Sequence, residues 1–108
     1  MSQITESIVS ALQSKGQFSG GNTTVDYNPR EGVSLVRYHG NLIAKVYENK
    51  VEVNYQGFPS TSTSERLRAI LGWATQGKVT IKATHGRIYV TKPEGKYVSR
   101  NDEWITIA

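Results

Sequence analysis

The chain has 108 residues, no cysteine, two histidines, and 13 Lys and Arg against 9 Asp and Glu, for a formal net charge of +4. This length supports one domain with its own core. The lack of cysteine excludes a disulfide framework, and no stretch approaches the ~18 apolar residues of a membrane-spanning helix.

The first residues, Met1-Ser2-Gln3-Ile4-Thr5-Glu6, lack the basic and apolar regions of a secretory signal. Ile4, Ile8, Val9 and Leu12 recur at helical spacing and predict a helix over Ile4 to Leu12, capped by Ser2 or Thr5 and stopped at Gly16. Gln17 to Asn22 contains paired glycines and reads as an irregular turn anchored by Phe18. Strands are expected at Thr23 to Tyr27, Val33 to Tyr38, Leu42 to Tyr47 and Val51 to Tyr55, with turns at Asn28 to Gly32, His39-Gly40-Asn41 and Glu48-Asn49-Lys50. In the fourth strand, Val51, Val53 and Tyr55 alternate with Glu52, Asn54 and Gln56, so one face is expected to be buried and the other wet.

After Gly57-Phe58-Pro59 the period changes. Leu67, Ile70, Leu71 and Ala74 mark one face of a helix of about three turns, and Ser62 with Glu65 has capping-box spacing. Strand alternation returns with Val79, Ile81 and Ala83, then with Ile88 and Val90 after the His85-Gly86 turn. Tyr97-Val98 is a short pairing segment, and Trp104 to Ile107 reads as a last strand whose open edge offers a route to a homodimer. Short loops favour antiparallel neighbours. The expected fold is a single α+β domain over residues 1–108: a mostly antiparallel sheet of about six strands with two short helices packed against it.

Little here supports catalysis. His39 and His85 each sit beside a glycine at a turn and are most simply polar turn residues. A small hydrolase would require one of them to meet a carboxylate in a cleft. Asp26 lies in a strand and is expected to pair with Arg37 or Lys45. Two histidines and scattered carboxylates do not make a metal site, so no catalytic, cofactor-binding or metal-ligating residue is assigned.

Two segments suit polyanions. The hydroxyl run Thr61 to Ser64 opens a helix carrying Arg66 and Arg68, a combination able to hold a phosphate; the plainer reading is a cap with solvated arginines. The second segment is the hairpin from Lys78 to Lys92. Lys78, Thr80 and Lys82 share one face of its first strand, and Arg87, Tyr89 and Thr91 share one face of its second. If these faces coincide, cations surround an aromatic ring, an arrangement suited to unpaired bases. The competing reading is a solvated sheet face with lysines as edge protection. Arg37, Lys45 and Tyr47 would extend the patch if the central strands expose the same side.

Three segments carry a resemblance: Gly21-Asn22-Thr23-Thr24-Val25, His39-Gly40-Asn41-Leu42-Ile43-Ala44, and Gly57-Phe58-Pro59-Ser60-Thr61-Ser62-Thr63-Ser64-Glu65-Arg66-Leu67. Over residues 16–92 the chain resembles a family of small uncharacterised proteins of tailed bacteriophages. The resemblance implies a viral protein acting in the host cytoplasm on nucleic acid or on a protein. The leading expectation is a non-enzymatic protein that binds DNA or RNA through Lys78, Lys82, Arg87 and Tyr89, aided by Arg66 and Arg68. The alternative is a protein-binding module, either an inhibitor of a host protein or a phage assembly factor.

Overall fold

The computed structural model describes residues 2–107. The first helix, α1, spans Gln3–Ser14. Ser2 caps it, its side-chain oxygen accepting the Thr5 N–H at 3.3 Å. It runs two residues past the expected Leu12 and is capped just before the expected stop at Gly16: Lys15 takes the left-handed conformation, and the Gly16 N–H returns to the Ala11 carbonyl at 2.9 Å. The segment expected to be an irregular turn contains a short strand, β1 (Phe18–Gly20). The next strands are β2 (Thr23–Asn28), β3 (Val33–Tyr38), β4 (Asn41–Tyr47) and β5 (Val51–Val53). The His39-Gly40 loop joins β3 to β4 with both residues at positive φ, 51° and 79°. That geometry matches the right-handed twist of a tight hairpin.

Val25, Val36, Ala44, Val53 and Ile105 stand opposite one another in a cross-strand row, all buried. The row is kept whole by a bulge. Val36 pairs with Ala44 and Arg37 with Leu42, which leaves Ile43 as an extra residue. Its carbonyl accepts the Asn54 N–H at 2.9 Å. Asn54, expected on a wet face, is instead buried beyond the end of β5, with its side-chain oxygen accepting the Gln56 N–H at 2.7 Å. A local turn overrides the alternation there.

The second helix, α2, spans Thr61–Thr75 and is a turn longer than expected. Its cap is Ser60, which accepts the Thr63 N–H at 3.1 Å, rather than the Ser62 and Glu65 pair. Leu67, Ile70 and Leu71 are buried, whereas Ala74 is exposed. The remaining strands are β6 (Thr80–Thr84), β7 (Arg87–Lys92), β8 (Gly95–Arg100) and β9 (Ile105–Ile107).

The architecture is a single α+β domain in which both helices pack on an antiparallel six-stranded sheet, ordered β1-β2-β3-β4-β5-β9. Unlike the sequence reading, strands β6-β7-β8 form a separate three-stranded sheet. Here β8 runs over six residues where only Tyr97-Val98 was expected to pair. Helix α2 packs against both β5 and β6, so Ile81, Ile88 and Val90 of the small sheet join the core made by Ile8, Leu12, Leu67 and Leu71. Trp104 lies outside β9 and is partly exposed, with the Lys45 Nζ 4.5 Å from its ring. Among the described residues, no helix is long and apolar enough to cross a membrane.

Candidate nucleic-acid interface

The small sheet turns Ile81, Ile88 and Val90 inward and buries them. Alternation then sends the intervening residues outward. Lys82 stands opposite Tyr89, and Tyr89 opposite Val98. Thr84 faces Arg87, and Arg87 faces Arg100; Thr80 faces Thr91, and Thr91 faces Lys96. Lys82, Arg87, Lys96, Val98 and Arg100 are exposed, and Tyr89 is half-buried. The register therefore brings Lys82, Arg87 and Tyr89 to one side.

Lys96, Val98 and Arg100 were missed as members of this face. Their signal was present: they alternate with Tyr97 and Ser99 immediately after the Lys92-Pro93-Glu94-Gly95 turn. The strand has few apolar residues, which hid the pattern. Arg100 is also partly neutralised. Its Nε and Nη2 donate to the two Asp102 carboxylate oxygens at 3.0 and 2.9 Å. That pairing raises the arginine's pKa and lowers Asp102 below the usual carboxylate range. Glu103 accepts from the Arg100 N–H and the Ser99 hydroxyl, at 2.8 and 2.7 Å, and its pKa is lowered by these bonds in that order. The acidic loop thus closes off the end of β8.

The other expected site residues stand elsewhere. Lys78 is exposed just ahead of β6, its N–H bonded to the Thr75 carbonyl at 3.2 Å. Arg68 is exposed on α2, with its Nε 3.4 Å from the Ser64 carbonyl. Arg66 is not a solvated arginine; it is 8% exposed. Its guanidinium donates to the Thr23 hydroxyl, the Ser62 carbonyl and the Gly21 carbonyl at 2.9, 3.1 and 3.3 Å, and lies 4.0 Å from the Tyr38 ring centre. These partners tie α2 to the first sheet and occupy the guanidinium with contacts inside the protein. Arg37, Lys45 and Tyr47 belong to the first sheet, so they do not extend the small sheet's face. In that sheet Asp26 faces Leu35 rather than a cation, and Lys45 faces Glu52.

A cleft of about 410 Å³ opens between the β3–β4 turn and the start of α2. Tyr38, Ile43, Tyr55 and Phe58 give it apolar walls, and His39, Asn41 and Ser62 contribute polar groups. None of its lining residues is a carboxylate, so His39 lacks the partner a hydrolase would require there. Among the described residues, no three His, Asp or Glu converge as metal ligands would.

At the cleft floor, Tyr55 is 1% exposed and its hydroxyl lies 2.6 Å from the Ser64 hydroxyl. Burial raises its pKa; the Ser64 bond and the Arg68 charge oppose that shift. Because the folded pKa exceeds the unfolded value, this contribution to stability is fully present below pH 10.0 and is lost as pH rises through the raised value. Tyr55→Phe is expected to cost about 1 kcal/mol at neutral pH and to flatten the alkaline fall in stability. Urea unfolding across pH 8 to about 11 reads both effects; an unchanged alkaline slope would count against this role for Tyr55.

No curated protein and no solved structure matches the chain. A family model described as Kyanoviridae Gp96 protein, phage-associated and of similar length, matches residues 1–106. The match extends beyond the segments that carried the sequence resemblance and runs through both sheets, so the chain belongs to the Kyanoviridae Gp96 protein family.

Proposed function

We propose that this protein is a non-enzymatic phage protein that binds single-stranded nucleic acid across the outer face of β6, β7 and β8, and that it does so in the host cytoplasm. The observation carrying this reading is Arg87, exposed and one row from Tyr89, on the face it shares with Lys82 and Lys96. Arg100, opposite Arg87, is already paired with Asp102, so the unpaired cations of the face carry the attraction. Lys82 and Lys96 add to the positive side, and Tyr89 offers a ring on which an unpaired base can stack. A net charge of +4 favours the encounter.

Fluorescence anisotropy with a labelled single strand and its duplex tests the proposal. Of the cations on this face, Lys82, Arg87 and Lys96 are not paired with a carboxylate, so three phosphates should be neutralised. The slope of log affinity against log salt should be about −2, a roughly 20-fold loss between about 50 and about 200 mM salt. The single strand should bind more tightly than the duplex, and Tyr89→Ala should weaken it about fivefold or more. No binding of either nucleic acid at low salt overturns the reading. A second reading, a module docking on a host or phage protein, draws on Val98, 51% exposed at the centre of this face. Complex formation that resists nuclease and high salt would favour it.

A further inference from the structure

Phe58 is the most exposed large apolar side chain among the described residues, at 63%. It stands at the mouth of the cleft formed with Tyr38, His39 and Tyr55. The turn that carries it is firmly held. Its N–H donates to the Tyr55 carbonyl at 3.0 Å, and the Gln56 side chain donates to the Leu42 carbonyl at 2.7 Å. Gly57 has φ +80°, a conformation that favours glycine. These bonds hold the backbone that presents an apolar ring to water, which preorganises the turn for contact.

The same turn is joined to the small sheet. The Gly57 N–H donates to the Asn101 carbonyl at 2.7 Å, and the Asn101 side-chain amide donates to the Gly86 carbonyl at 2.6 Å. Gly86 is the residue before Arg87, and Asn101 the residue after Arg100. The two arginines of the proposed face and the Phe58 turn are therefore fastened to one another through a single asparagine.

Building on the nucleic-acid reading above, we propose that Phe58 is a second stacking platform of the same site, with one unpaired base seated in the cleft. The strand runs from Tyr89 past Arg87 and across the Asn101 bridge. The cleft volume lies within the range of small-ligand sites. Its apolar walls suit the faces of a base, and His39, Asn41 and Ser62 can bond the base edge.

Strand length separates this proposal from the reading beneath it. Oligothymidylates of about 4 and about 12 nucleotides bracket the site sizes usual for such surfaces. The short strand occupies one platform at a time, so Phe58→Ala should weaken it at most about twofold. The long strand links both platforms and should weaken at least about fivefold. Thermal midpoints check that the exposed substitution leaves the fold intact. If Phe58→Ala binds the long strand as the parent does while Tyr89→Ala weakens it, the second platform is refuted and the sheet-face reading stands. If the parent binds neither strand, the sheet-face reading fails and takes this inference with it.

Discussion

Replacing Arg66 with methionine is expected to lower the thermal midpoint by about 10 °C. Methionine retains the packing of the arginine stem but removes the guanidinium. Two of the lost bonds cross between elements, to the Thr23 hydroxyl and the Gly21 carbonyl. These two acceptors are not both orphaned, because the Thr23 hydroxyl still donates to the Gly21 carbonyl at 3.1 Å. The cost therefore comes from losing charge-assisted bonds and the stack on Tyr38, less the relief of no longer burying a charge. A net loss of about 2 kcal/mol is the reasonable balance, and for a domain of this size that gives the stated shift. Arg66→Lys should fail to rescue it, because an ammonium cannot serve three divergent acceptors and a ring at once. A midpoint for Arg66→Met within ~2 °C of the parent would show that the guanidinium's contacts and its burial cancel.

Arg66 also shows where sequence reading stops. On the helix pattern it flanks the apolar stripe and looks solvated; its buried setting is created by Gly21, Thr23 and Tyr38, more than 25 positions away in the chain. Local features were legible. The strand Val33–Tyr38 is found where alternation put it, and the His39-Gly40 turn follows from residues that tolerate positive φ. The sequence left open whether the faces of Lys82 and Tyr89 coincide; the two-residue turn that closes the hairpin fixes the register in which they do. What could not be read was long-range. Glu52 pairs with Thr106, so β9 leaves the small sheet to close the large one. The bulge at Ile43, the burial of Asn54 and the bridge through Asn101 depend on which strands become neighbours, and no local period encodes that.

Reversing two charges on the small sheet should have the largest effect on binding. In Lys82→Glu/Arg87→Glu, two of this face's three cations not paired with a carboxylate become carboxylates. At about 50 mM salt each neutralised phosphate contributes about eightfold through counterion release, so losing two costs about 60-fold. Repulsion from the new carboxylates adds to this, and affinity for a single strand should fall at least about 100-fold, with the salt slope near zero. Net charge alone would also weaken binding, so a matched control is needed. Arg30→Glu/Lys50→Glu makes the same change, from +4 to zero, but in the β2–β3 and β4–β5 turns of the large sheet. If the face is the site, the control should lose only several-fold and keep most of its salt slope. Equal losses in the two variants would mean that nucleic acid responds to the protein's overall charge rather than to this face, and the specific role of Lys82 and Arg87 would have to be given up.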